Sequence, residues 1–507
     1  MLAATLSLDP DNRIGPVRPR LFGSFVEHLG RCVYGGVFEP EHALADGHGF
    51  RTDVLELVRE LGVTLVRYPG GNFVSGYRWE DGTGPMDRRP TRLDTAWHSV
   101  EPNTFGIGEF VEWARTARVE PMLALNLGTR GVAEALDLLE YGNHPAGTHL
   151  SDLRVSHGHD QPFDIRLWCL GNELDGPWQL GHKTADEYGR LAAETARAMR
   201  MVDPNLELVA CGSSFAEMPT FGEWEQTVLG HTYDQVDYIS LHAYYEERDG
   251  DLGGFLASSL RMDSFIDRVI SIADGVAARL GSTKRIDLSF DEWNVWYVSG
   301  FLEEGPSADW LRAPHLIEDT YNVADAVVVG SLLMALLRHA DRVAAACQAQ
   351  LVNAIAPIRT QTGGPAWRQT IFHPFAQTAR HARGDVLIPD VQCPHYESAP
   401  HGDTPLIDAV ATHDHETGET AVFVVNRSID DAVLLSVDTS AFTTYEVVEH
   451  TVLADDDIRA VNTMESPDRI VPRPGARPQS TDRGVDIVLP PVSWNMLRLR
   501  SLDHARR

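Results

Sequence analysis

Trp168-Cys-Leu-Gly-Asn-Glu173 is a short apolar run that ends in a carboxylate, and Leu288-Ser-Phe-Asp-Glu292 repeats the arrangement further along the chain. A strand built this way leaves a dry sheet and lifts its last side chain into a cleft. Around these two runs, short β-type segments alternate with helical ones. Strands are expected at 21–25, 64–67, 122–126, 166–171, 207–211, 238–242, 287–291 and 342–346. Helical periodicity fills the intervals at 53–61, 108–117, 132–140, 184–201, 264–280 and 322–339. The segment at 184 opens on Thr184 with Glu187 three residues on, a capping box. Eight such units predict an α/β fold, a (β/α)8 TIM barrel ringed by helices. An open doubly wound sheet is the competing layout, but no G-x-G-x-x-G follows a strand.

Beyond residue 385 the texture changes. Pro, Asp, Thr and Val rise and long helical periodicity disappears. Segments 420–426, 432–438, 444–453, 485–489 and 495–499 predict a C-terminal antiparallel β-sandwich, jelly-roll-like, with Asp-rich turns. Segment 2–8 is also strand-like and is expected to join it. The expected division is a catalytic barrel over 19–384 and an accessory β-sandwich made of 1–18 plus 385–507. A chain of 507 residues is too long for one simple core and fits this split.

Lys plus Arg is 43 and Asp plus Glu is 73, a net charge of −30. That surface repels phosphate backbones and anionic lipid, so neither nucleic acid nor membrane is an expected partner. The longest apolar stretch, Val323 to Leu337, is broken by Asp325 and is short for a membrane span, so it is expected to be a buried helix. The five cysteines are scattered, with no C-x-x-C, which fits a reducing compartment. Cys169 and Cys211 sit in apolar runs, where a thiol acts as a small hydrophobe. The first ten residues carry no basic-then-apolar leader pattern, and a cytoplasmic location is expected.

In a parallel barrel the active site lies at the C-terminal strand ends. Those ends carry Glu27, Arg67 with Asn72, Asn126, Asn172 with Glu173, His242 with Tyr244, Glu292, and Gln350 just beyond the eighth. Buried polar groups are costly unless paired, and a full ring of them points to a polar ligand. Taken alone, either glutamate is as ordinary as a helix cap or a surface ion pair. Together, on the fourth and seventh strands, they face each other across the mouth. Two such carboxylates about 5–5.5 Å apart are the machinery of retaining glycoside hydrolysis. Arg67 and Tyr244 can both donate to Glu292, which suits a nucleophile. Glu173 is then the general acid, and becomes the base once Glu292 is consumed as an ester. Asn172 is placed to bond a sugar hydroxyl beside the reacting carbon. Trp97 and Trp178 are expected in the cleft wall, with Trp296 as a further substrate contact, and Trp293 in the core. His144, His157 and His159 read as solvated loop histidines, not a zinc site. No metal and no cofactor is expected.

These motifs also resemble a known family. Phe25-Val-Glu27-His-Leu-Gly-Arg-Cys-Val-Tyr-Gly-Gly36, Arg67-Tyr-Pro-Gly-Gly-Asn72, Gly171-Asn-Glu173, His242-Ala-Tyr244, Asp291-Glu292-Trp-Asn and Gln350-Leu-Val-Asn-Ala-Ile-Ala-Pro357 look like those of α-L-arabinofuranosidases of glycoside hydrolase family 51, in the same order. The resemblance implies a barrel plus sandwich, retention of configuration and no metal. It implies Glu173 as acid/base and Glu292 as nucleophile, with Glu27, Asn72, Asn172, Tyr244 and Gln350 gripping arabinofuranose hydroxyls. It also implies a homo-oligomer, commonly a hexamer. The expected activity is exo-acting removal of terminal α-L-arabinofuranosyl residues from arabinan or arabinoxylan oligosaccharides. An endo-β-glucanase on the same barrel would instead need an open groove lined by aromatics. A non-catalytic sugar-binding protein would have lost one carboxylate, and both are present.

Overall fold

Eight short strands run parallel and close on themselves in chain order: Gly23–Phe25, Leu65–Tyr68, Glu120–Ala124, Leu167–Cys169, Glu207–Ala210, Tyr238–Tyr245, Asp287–Val295 and Val343–Gln348. They are called the first to eighth barrel strands below. The computed structural model describes residues 1–305, 309–442 and 445–502. Every expected barrel segment is a strand, shifted by a few residues at its ends. The sixth and seventh run furthest past expectation, because Ala243, Tyr245, Trp293 and Val295 continue the buried pattern beyond the polar residues.

The expected helices form at Thr52–Leu61, Ile107–Ala117, Val132–Asn143, Ala185–Val202, Ser259–Leu280 and Val323–Arg338. Thr184 Oγ1 caps the fourth of these by accepting from the Glu187 amide. Glu223–Thr232 and Phe372–His381 are also helices, and the sequence reading omitted both. The first carries a glycine, threonines and weak amphipathicity. The second has Pro374 in its first turn, where a missing N–H costs nothing. His149–Ser156 is a short helix as well. His157 and His159 therefore follow a helix and are half-buried, and burial lowers the pKa of each. The expectation of solvated loop histidines is corrected for these two: the tight 157–163 turn folds back on Tyr141, whose hydroxyl lies 3.1 Å from His157 Nδ1.

Two further sheets stack beside the barrel. A five-stranded sheet has the order Asp390–Gln392, Leu2–Ser7, Val433–Asp438, Gly484–Leu489, Gln479–Ser480. A seven-stranded sheet has the order Arg13–Pro16, Asp385–Leu387, Ile407–Asp414, Glu419–Asn426, Ser493–Ser501, Tyr445–Leu453, Arg473–Pro474. Pairing is antiparallel except between Leu2–Ser7 and Val433–Asp438. The expected strand at 444–453 begins at Tyr445, and residue 444 lies outside the described residues.

The strand Glu419–Asn426 explains how these layers join. Ala421, Phe423 and Val425 belong to the barrel core, whereas the alternate Val422 and Val424 belong to the sandwich core. A strand buried on both faces needs a continuous apolar run, and Ala-Val-Phe-Val-Val supplies it. The helix Val323–Arg338 lies against this sheet, and every residue from Val323 to Leu337 is buried. A helix apolar on all sides belongs in an interior. No described helix is long and apolar enough to cross a membrane. At this seam Asp408 is buried, with Arg338 at 2.7 Å, Arg427 at 2.6 Å and the hydroxyls of Ser259 and Ser331 also donating to it. Gly330 sits at the helix midpoint because Trp494 presses on it: a Cβ there would lie 2.2 Å from the indole.

Gly330→Ala should therefore destabilise the protein by about 1–3 kcal/mol through overpacking. Gly275→Ala, on an exposed helix turn where an added Cβ meets nothing, should be neutral or gain up to about 1 kcal/mol. Unfolding curves of the two variants check this, and equal effects would refute the packing argument.

Candidate active site

The second barrel strand places Arg67 inside the barrel, with its guanidinium 4.8 Å from the Phe25 ring centroid. Its Nη1 donates to Glu292 Oε1 at 2.6 Å and its Nη2 to Asn172 Oδ1 at 2.7 Å. Its Nε lies 3.7 Å from Asp291 Oδ2. One arginine thus ties the ends of the second, fourth and seventh strands. Tyr244 Oη, from the sixth, donates to Glu292 Oε2 at 2.8 Å.

Asp291 and Glu292 are neighbours in a strand, where successive side chains point to opposite faces. Both nevertheless reach Arg67. Pairing slips on either side of the seventh strand, between Ser240 and His242 toward the sixth and between Phe290 and Trp293 toward the eighth. Such irregularities re-aim side chains. Simple alternation hides Asp291, for which the sequence predicts no role. Its pKa is lowered: burial opposes this, but Arg67 and His242 outweigh it. Cys169 is more than the small hydrophobe expected, since its Sγ donates to Asp291 Oδ2 at 3.4 Å.

The fourth strand ends after three residues, and Gly171 and Glu173 both take positive φ, 111° and 44°. A non-glycine residue in this region is uncommon and marks a constrained turn. The turn lifts Glu173 over the barrel end. Its Oε2 accepts from Trp178 Nε1 at 2.8 Å, and its Oε1 lies 2.9 Å from His242 Nδ1. A carboxylate oxygen of Glu173 lies within 4.8 Å of one of Glu292. His242 Nε2 lies 3.0 Å from Asp291 Oδ1. Burial alone would lower the imidazole pKa, but Glu292, Asp291 and Glu173 together push it up to about 10. Glu173, His242 and Glu292 pack closely enough to be compared with a metal site. Both ring nitrogens already face carboxylates, Nδ1 toward Glu173 and Nε2 toward Asp291.

Glu27 forms the other half of the pocket. Its Oε1 accepts from the Phe73 amide and from Trp97 Nε1, both at 2.9 Å, and Gln350 Nε2 donates to Oε2 at 2.8 Å. Gly71 is required here, since a Cβ would fall 2.5 Å from Glu27 Oε2. Asn72 is half-buried and accepts from Asn172 Nδ2 at 3.3 Å. Trp97 is buried, and so is a hydrogen-bond donor to Glu27 more than an open stacking surface. Trp178 is 48% exposed and lies parallel to Phe215. Trp296 meets Tyr244 edge-on at 5.0 Å, and Phe301 joins it to Trp97. Phe301 was not anticipated. Asn126, counted in the polar ring, instead braces its own turn through Tyr77 and Thr129.

Burial first, and the charge of Glu292 second, push the Glu27 carboxyl up to about 8. The side-chain oxygen of Gln350 is buried without a partner, and a flip of that amide would let it accept from a protonated Glu27.

A closed parallel barrel that brings two glutamates together over its C-terminal strand ends, among donors and aromatic walls, is the framework of a glycoside hydrolase. Residues 57–253 match the model of the α-L-arabinofuranosidase 1 domain, and residues 291–493 that of the α-L-arabinofuranosidase C-terminal domain. The intracellular exo-α-(1→5)-L-arabinofuranosidase of Streptomyces lividans is 60% identical over 500 residues, covering 98% of this chain and 75% of that one. The exo-α-(1→6)-L-arabinofuranosidase of Bifidobacterium longum is 53% identical over 506 residues, covering 98% and 97%. The solved family 51 α-L-arabinofuranosidase from Bifidobacterium longum is 48% identical with a TM-score of 0.94, over 98% of this chain and 99% of that one. The chain belongs to the α-L-arabinofuranosidases of glycoside hydrolase family 51.

The raised Glu27 pKa has a signed consequence. A carboxyl that titrates near 4.5 unfolded and near 8 folded holds its proton only in the folded state between those values. Stability then falls as pH rises through that window and levels off above it. Glu27→Gln removes this loss, so its stability relative to the parent should improve between about pH 5 and pH 9, by up to about 4 kcal/mol. Thermal unfolding at both pH values checks it, and a constant gap would mean Glu27 is ionised throughout.

Proposed function

We propose that this enzyme is a retaining, exo-acting α-L-arabinofuranosidase that releases terminal non-reducing α-L-arabinofuranosyl residues from arabinan or arabinoxylan oligosaccharides. The observation that carries the reading is the approach of the Glu173 and Glu292 oxygens to within 4.8 Å. Inverting enzymes hold their carboxyl groups roughly 6.5–9.5 Å apart to admit water between them, whereas retaining enzymes close them to about 5–5.5 Å. Glu292 attacks the anomeric carbon while Glu173 protonates the departing glycosidic oxygen. A glycosyl ester on Glu292 results. Water, deprotonated through Glu173, then releases arabinose with its configuration kept. Arg67 and Tyr244 hold Glu292 in line for attack. Glu27, Asn72, Asn172, Tyr244 and Gln350 converge on the same space and are suited to bind furanose hydroxyls. Trp97, Trp296 and Trp178 border it. Several relatives are named intracellular, which supports action inside the cell on imported oligosaccharides and not on polymer.

Glu292→Ala should lower kcat on an aryl α-L-arabinofuranoside by at least about 10³-fold. Glu173→Ala should be rescued by azide, giving an arabinofuranosyl azide of retained configuration. The first-formed sugar anomer, followed by NMR, should be α. A β anomer, or an unaffected Glu292 variant, would overturn the mechanism. Exhaustive dialysis against a chelator should leave the rate unchanged.

A further inference from the structure

Glu173 meets one group at each of its two oxygens. Trp178 Nε1 donates to Oε2, and an indole N–H cannot accept. The other oxygen, Oε1, faces His242 Nδ1 at 2.9 Å. A proton shared by Glu173 and His242 lies on the line between Oε1 and Nδ1, on one atom or the other. The far side of the ring decides which. Nε2 faces Asp291 Oδ1 at 3.0 Å, and Asp291 is an acceptor held by Cys169 and Arg67, so Nε2 carries a hydrogen. The ring is then flanked by Glu173 from the fourth strand and by Asp291 and Glu292 from the seventh, with Glu292 Oε2 at 3.7 Å from Nδ1. Arg67, from the second strand, stands behind the last two, and Tyr244, from the ring's own strand, bonds Glu292. Three carboxyl groups against one guanidinium favour a cationic ring, in keeping with an imidazole whose pKa is pushed up to about 10.

We propose that the proton delivered to the leaving group is stored on His242 Nδ1 in the resting enzyme and reaches the substrate through Glu173. This rests on Glu173 being the general acid. In the first step the Nδ1–H bond breaks and an Oε1–H bond forms, and the glycosidic oxygen takes that proton with the electron pair of the breaking C–O bond. Glu292 supplies the pair for the new bond to carbon. His242 is left neutral, with Nε2–H still on Asp291. In the second step water bonds to the same carbon, the ester pair returns to Glu292, and the water proton passes through Glu173 back to Nδ1. His242 is a positioning and proton-storing residue, and Asp291 sets its tautomer.

Two measurements test this. In enzyme labelled with ¹⁵N at histidine rings, His242 should show both nitrogens protonated at about pH 7. Nδ1 should lose its proton when a mechanism-based inactivator esterifies Glu292. An unprotonated Nδ1 in the resting enzyme would overturn the proposal, and this readout needs no variant to fold. In His242→Asn, kcat/KM for a phenyl arabinofuranoside should fall by about 10²-fold or more. The 2,4-dinitrophenyl substrate, whose leaving group needs no proton, should stay within about threefold. Equal losses on both would reduce His242 to a structural support and sink the proposal. Absence of any leaving-group dependence in Glu173→Ala would instead refute the acid assignment on which it rests.

Discussion

A buried guanidinium sets the terms for everything at this barrel end. Arg67 is almost wholly enclosed, and a charge in that position is tolerable only when surrounded by compensating groups. Glu292, Asn172 and Asp291 supply them, from two strands that are remote in sequence. The contact also works in reverse. Without Arg67, two buried carboxylates on adjacent residues would face each other with only His242 between them and Glu173. Neutralising one cation inside a closed sheet thus fixes Glu292, Asp291 and Asn172 around it, and His242 links that cluster to Glu173.

Charge balance runs through the rest of the pocket too. The Asp291 carboxyl is pushed down against its burial by Arg67 and His242, and the His242 imidazole is pushed up against its own by its carboxylate neighbours. Glu27 lacks any cation within contact and responds in the opposite sense, keeping its proton well into neutral pH. Two carboxyl groups within one small space therefore behave oppositely because their neighbours differ, not their chemistry. A neutral carboxyl at Glu27 can donate as well as accept, which is useful against sugar hydroxyls, which do both.

Much of this is legible in the chain itself. Strand-then-carboxylate runs at Glu173 and Glu292 located the pair, and strand order put Arg67 and Tyr244 beside Glu292. Most of the ring was legible because a parallel barrel converts chain order into angular position. What escaped needed finer geometry. Asp291 was invisible because regular alternation turns it outward, and only slipped pairing brings it in. Asn126 sits at the right height but spends its side chain on its own turn. Trp97 lies in a polar segment, which suggested exposure, but its indole is folded inward onto Glu27. Glu223–Thr232 was missed because its periodicity is weak and tertiary packing makes the helix.

The sheet that contains Glu419–Asn426 has no face of its own to spare. One side completes the barrel around the helix Val323–Arg338, and the other closes the sandwich. A barrel cut free at this boundary would expose a largely apolar helix to water, and a free sandwich would bare Phe423 and Trp494. The smaller unit is therefore not a detachable module that evolution could shuffle or engineers could swap. Catalysis at one end of the molecule is inherited only together with the scaffold that seals the other.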